Sequence, residues 1–172
     1  MNDTLDPTAA PSAEAAVTGS AATPAVRYIE PKRATNTFNR IVARLTKMGV
    51  SVWGSRELRV RGRKTGDWRT TPVNLLTHEG QTYLVAPRGT TQWVRNLRAA
   101  DGHGELRLGR NTDAFVATEV ADADKVDILR AYLKRWKMEV GVFFDGTSAD
   151  STDAEIAAIA PKHPVFLITS TN

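Results

Sequence analysis

Three short segments that alternate apolar and polar residues follow one another with only tight turns between them, and this spacing leaves no room for helical crossovers. Within Glu57 to Gly62, Leu58 and Val60 alternate with Arg59 and Arg61; Trp68 to Thr77 comes next, then Gln81 to Ala86 after a turn at His78-Glu79-Gly80. Period-two alternation marks strands with one buried face, and short connections join antiparallel neighbours. Glu105 to Leu108 and Asp113 to Val120, turning at Gly109-Arg110-Asn111, read as another hairpin, and Val165 to Thr169 reads as a closing strand. Helices are inserted between these strands rather than alternating with them. Phe38, Ile41, Val42, Leu45 and Met48 recur at helical spacing over about Asn36 to Met48, which Gly49 ends. Thr91 to Ala100 is expected to turn Trp93, Leu97 and Val94 inward, and Asp122 to Met138 to bury Ile128, Leu129, Tyr132, Leu133 and Trp136. A short helix spans about Asp153 to Ala160. The class predicted is α+β, mainly β: a small antiparallel barrel with flanking helices rather than a parallel doubly wound sheet.

A chain of 172 residues is about one domain. Residues 1–26 are rich in Ala, Thr, Pro, Ser and Gly without apolar periodicity, and read as a disordered tail; the domain is expected over 27–172. The absence of cysteine excludes a disulfide framework and a cysteine-based metal site, and suits a reducing cytoplasm. No run of about 18 apolar residues is present, so no integral membrane segment is expected. Nor does the tail, with Asp3, Asp6 and Glu14 before its first cation at Arg27, resemble a secretory signal.

Charge is unevenly placed. The net charge is +4, but residues 27–172 hold all 23 Lys and Arg against 16 acids, and residues 56–98 alone hold nine cations against three acids. Two loops concentrate these cations. Arg61-Gly62-Arg63-Lys64-Thr65-Gly66 forms a tight turn between two strands, and Arg88-Gly89-Thr90-Thr91 lies where a strand passes into a helix, a place that offers free amides and a positive helix end to a phosphate. Together they suit a phosphate-bearing ligand. The three histidines, His78, His103 and His163, are scattered, and no Gly-x-Ser-x-Gly elbow occurs, so neither a metal site nor a serine hydrolase is indicated. Asp122, Asp124 and Asp127 are better placed to complement a helix dipole than to act as catalytic acids. Any catalysis is then expected from a bound cofactor.

The stretch Gly62-Arg63-Lys64-Thr65-Gly66-x-x-Arg69-x-x-Pro72, then Val85-Ala86-Pro87-Arg88-Gly89, then Trp93-x-x-Asn96-Leu97-x-Ala99, resembles the deazaflavin-dependent nitroreductase family of split β-barrel oxidoreductases. The resemblance implies coenzyme F420, a deazaflavin with a phosphodiester and a polyglutamate tail, and hydride transfer to a quinone, a nitro compound or another small electrophile. It also implies a cofactor site built from Arg63, Lys64 and Thr65; from Arg69, Thr70, Thr71, Pro72, Val73 and Asn74; from Val85, Ala86, Pro87 and Arg88; and from Gln92, Trp93, Val94, Arg95 and Asn96. Two departures stand out: Pro87-Arg88-Gly89-Thr90 replaces the first part of the Ser-Lys-Gly-Gly loop frequent in that family, and the further residues that often follow there, with a Pro before the Trp, are missing. The competing readings are an FMN-binding barrel, as in pyridoxamine-phosphate oxidase relatives, and a nucleic-acid-binding barrel whose basic strands, with Trp68 interleaved, track a phosphate backbone. FMN lacks the polyglutamate that so broad a cationic sector would suit. The fold allows a monomer or a homodimer.

Removing residues 1–26 should leave folded protein with unchanged cofactor affinity, because the segment offers neither cations nor an apolar face. Parallel F420 titrations of full-length and truncated protein check this, and a large loss on truncation refutes it.

Overall fold

Six strands build the wall: β1 (Ser55–Arg61), β2 (Trp68–His78), β3 (Gln81–Val85), β4 (His103–Leu108), β5 (Asn111–Glu119) and β6 (Val165–Ser170). They belong to a computed structural model that describes residues 55–171. The tail 1–26 and the helix expected at Asn36 to Met48 lie outside the described residues. The strands close into an antiparallel barrel in the order β1-β2-β3-β6-β5-β4. Closure depends on β1, which pairs with β2 along its whole length and with β4 through Glu57, Leu58 and Arg59.

Alternation along each strand divides the apolar residues between two cores. Leu58, Val60, Val73, Leu84, Leu106, Phe115 and Phe166 fill the barrel interior, joined by Val94 and Leu97 from α1 (Gln92–Ala99). The outer core sits between the wall and α2 (Val126–Val140) with α3 (Asp153–Ile159): Leu76, Val85 and Val165 meet Leu129, Tyr132, Leu133, Trp136, Ile156 and Ile159. Successive side chains of a strand point to opposite faces, which is why neighbours Leu84 and Val85, like Val165 and Phe166, serve different cores. Each such side chain contributes about 1.5–3 kcal/mol on burial.

Turn chemistry fixes the register. His78 faces Gln81, leaving Glu79-Gly80 as a two-residue loop with φ of 50° and 75°, the paired positive angles of a type I′ turn. At the end of α1 the amide of Gly102 donates to the Leu97 carbonyl at 2.9 Å and that of Asp101 to Arg98 at 3.3 Å, a Schellman stop that turns the chain into β4. A capping box opens α3. The backbone amide of Thr152 donates to the Glu155 carboxylate, and this, more than the Thr152 hydroxyl, holds the Glu155 pKa below its ordinary value. A depressed carboxylate pKa stabilises the folded state above the unfolded value, so this contribution fades as pH falls through the folded one.

One expected boundary is corrected. Asp122–Asp124 form a 3-10 turn and the α-helix begins only at Val126, so Asp127 alone is an acid in the first turn of α2. The cause is Lys125, which is buried, donates to Asp122 at 2.5 Å and reaches the Ala160 carbonyl at 3.4 Å. Asp122 therefore accompanies a buried cation rather than a helix end. The helix also runs to Val140, past Met138, with non-helical angles at Trp136.

Gly102 has φ +80°, and a Cβ there would lie 2.1 Å from the Ala117 carbonyl oxygen. Both the angle and the backbone contact oppose a side chain. Gly102→Ala should cost roughly 2–4 kcal/mol, read as a lower urea midpoint; an unchanged midpoint would show that the α1–β4 junction yields easily.

Candidate cofactor site

The turn between β1 and β2 is ordered by its own backbone. Gly62 N–H donates to the Asp67 carbonyl at 2.8 Å, Gly66 N–H to the Gly62 carbonyl at 2.7 Å, and the Arg61 guanidinium to the Gly66 carbonyl at 3.1 Å. Arg61 and Arg59 also lie over the Trp68 ring, 4.1 and 4.8 Å from its centroid. These contacts tie down the base of the turn and leave Arg63, Lys64 and Thr65 exposed at its tip.

The tip meets α1. The Arg63 guanidinium donates to Asn96 Oδ1 at 2.9 Å and to Gln92 Oε1 at 3.0 Å, and the Arg63 backbone amide reaches Asn96 Oδ1 at 3.3 Å. Gln92 and Asn96 stand one turn apart on the same helix face. The β1–β2 turn and the start of α1, about thirty residues apart in the chain, thus converge. The start of α1 is poor in internal partners: its N-cap, Thr91, makes no side-chain capping bond, Thr91 Oγ1 is buried without a hydrogen-bond partner among the described residues, and no acid occupies the first turn. An uncapped, acid-free helix start beside an arginine offers amides and positive potential to a phosphate. These residues fit an anionic cofactor.

Other residues expected at the site are placed as follows. Arg69 and Thr70 are exposed at the start of β2, with Arg69 3.9 Å from Asp67, both largely in water. Thr71 and Pro72 are half-buried next along the strand. Asn74 lies far from the turn, six residues beyond Trp68, where it accepts from the Ser55 hydroxyl at 2.9 Å. Val73, Val85, Ala86 and Val94 are core residues, so only their backbone is left for a ligand. Pro87 is half-buried, and Arg88 beside it lies over the Phe143 ring at 4.8 Å. Trp93, half-buried, tilts against Phe166 at 5.9 Å, and Arg95 is exposed on α1.

The cationic sector is smaller than its composition suggests. Arg59 pairs with Glu105 at 2.6 Å, and Arg98 grips Glu119 with two bonds of 2.6 and 2.8 Å, which raise its pKa further. Glu105 and Glu119 lie outside residues 56–98, so counting charge along the sequence missed them. A cavity of about 680 Å³ at the other mouth of the barrel, lined by Arg56, Leu75, Asp113, Phe115 and Ile168 among others, lies away from the turn, since Arg56 begins the strand whose far end leads to Arg63. No helix among the described residues is long and apolar enough to cross a membrane.

These observations define the class of protein: a small closed antiparallel barrel with a cationic turn set against an uncapped helix start. Residues 32–152 match the F420H(2)-dependent quinone reductase family, and the chain belongs to that family; it is an F420-dependent oxidoreductase. Among solved structures, a protein of unknown function from Agrobacterium tumefaciens str. C58 aligns at 14% identity and TM-score 0.53 over 77% of this chain and 55% of its own. A structure described as a domain-swapped dimer aligns at 16% identity and TM-score 0.50 over 79% of this chain and 99% of its own. An F420-H2 dependent reductase aligns at 16% identity and TM-score 0.48 over 67% of this chain and 94% of its own. A search of curated proteins finds no match.

Proposed function

We propose that this chain reduces a quinone with reduced F420, in the cytoplasm, and that the cofactor's phosphate and carboxylates are held where the β1–β2 turn meets α1. The observation that carries the reading is the convergence of Arg63 with Gln92 and Asn96 beside an uncapped helix start. Bound there, reduced F420 supplies the hydride that, with a proton, turns a quinone into a quinol. The protein's share of the work is to bind, orient and shield. Arg63 presents a planar fork suited to phosphate or carboxylate oxygens, Lys64 a compact point charge beside it, and Arg69 a further cation along β2. Thr65, Thr70 and Thr71 add hydroxyls, and Pro87, Arg88, Trp93 and Arg95 are assigned to the same site. The Trp68 ring, covered by Arg61 and Arg59, is poorly disposed to stack on a base, which favours this reading over a nucleic-acid-binding barrel.

Titration with F420, FMN and FAD followed by protein fluorescence tests it, with menadione and a nitroaromatic as acceptors. F420 should bind far better than FMN, and added salt should weaken it because exposed contacts are screened over about 10 Å at 0.1 M. Equal affinity for FMN, or turnover confined to the nitro compound, would overturn the respective half of the proposal. Lys64→Ala and Arg69→Ala, both exposed, should each weaken binding about tenfold or more with the melting temperature unchanged.

A further inference from the structure

Arg63 is tethered differently from several other arginines. Arg59, Arg98 and Arg130 are each fixed by a carboxylate at 2.6 Å, from Glu105, Glu119 and Asp153. Arg63 is fixed by two neutral amide oxygens, at 2.9 Å from Asn96 and 3.0 Å from Gln92. On charge attraction alone an acid would hold Arg63 more tightly at either position. Gln92 is the first residue of α1, whose first turn holds no acid although its positive end favours one. Asn96 is buried, with 5% of its surface exposed, and its Oδ1 also takes the Arg63 backbone amide; a carboxylate there would make stronger, charge-assisted bonds.

We propose that Gln92 and Asn96 are positioning residues that hold Arg63 in place without neutralising it, so that the counter-ion of Arg63 is the anionic part of the cofactor. This deepens the F420 reading and rests on it. Asn96 then acts through Arg63 rather than by touching the cofactor. An aspartate at 96 or a glutamate at 92 would satisfy Arg63 internally, and the cofactor would have to compete with a built-in carboxylate for the same fork. Stability and affinity should therefore move in opposite directions.

The test is F420 titration of wild type, Asn96→Asp and Gln92→Glu, each acid also combined with Arg63→Ala, together with thermal melts in the absence of cofactor. Both acid variants should melt at or above the wild-type temperature, bind F420 about tenfold or more weakly, and show a flatter dependence of affinity on salt. In the Arg63→Ala background the added acid should cost clearly less, because the partner it neutralises is gone. Unchanged affinity in both acid variants overturns the proposal while leaving the F420 reading intact. An equal loss with and without Arg63 also overturns it, by making Asn96 a direct cofactor contact; weaker binding accompanied by a lower melting temperature does so by making its role merely structural. Should Asn96→Asp fail to fold, Gln92→Glu, at an exposed position, carries the same test. Wild-type protein that does not bind F420 overturns both readings together.

Discussion

Pairing of β1 with β4 is the constraint on which the rest depends. It makes the barrel close, and closure decides where α1 can go. The chain leaves β3 at the mouth beside the β1–β2 turn and must enter β4 at that same mouth, so the eight-residue helix between them lies across the opening. Val94 and Leu97 plug the interior, and the periodicity that turns them inward sets Gln92 and Asn96 toward the turn. The position of the site is thus a by-product of filling the barrel. Its chemistry adds only the choice of polar residue at two helix positions and of arginine at the turn.

Dividing the apolar residues between two cores separates roles as well. The interior core holds strands and α1 in register, and with them the turn and its helix, whereas the outer core fastens α2 and α3 to β2, β3 and β6. Arg88, over Phe143, brings the candidate site against the segment that follows α2. Substitutions in α3 should then be felt first in stability, while substitutions in α1 alter stability and the site at once.

Much of this was legible in the chain. Leu58 and Val60 alternating with arginines, the Glu79-Gly80 turn and the stripe through Ile128, Leu129, Tyr132, Leu133 and Trp136 each obey a local rule, and the strands and helices follow them. What local rules do not contain is pairing across the chain. By its local sequence Asn96 suits a bridge within the helix as well as a ligand contact; its partner is Arg63, 33 residues away. Glu105 and Glu119, which quench Arg59 and Arg98, are brought into reach by strand register alone. The 3-10 start of α2 went unseen for a similar reason, because Lys125 looks like any surface lysine until Ala160 comes to lie over it.

Pro72 carries a consequence of another kind. Its partner across the ladder is Glu57, yet β2 meets β3 only from Leu75 onward, so among the described strands residues 68–74 have one side without a neighbour. Proline lacks an N–H and fits within a paired strand only where that group would point away from the ladder, here toward the side without a neighbour. That stretch of β2 therefore presents one donor fewer than an ordinary strand edge. A second chain trying to lengthen the sheet there would find its hydrogen-bonding pattern interrupted midway, so this stretch of β2 is a poor template for aggregation.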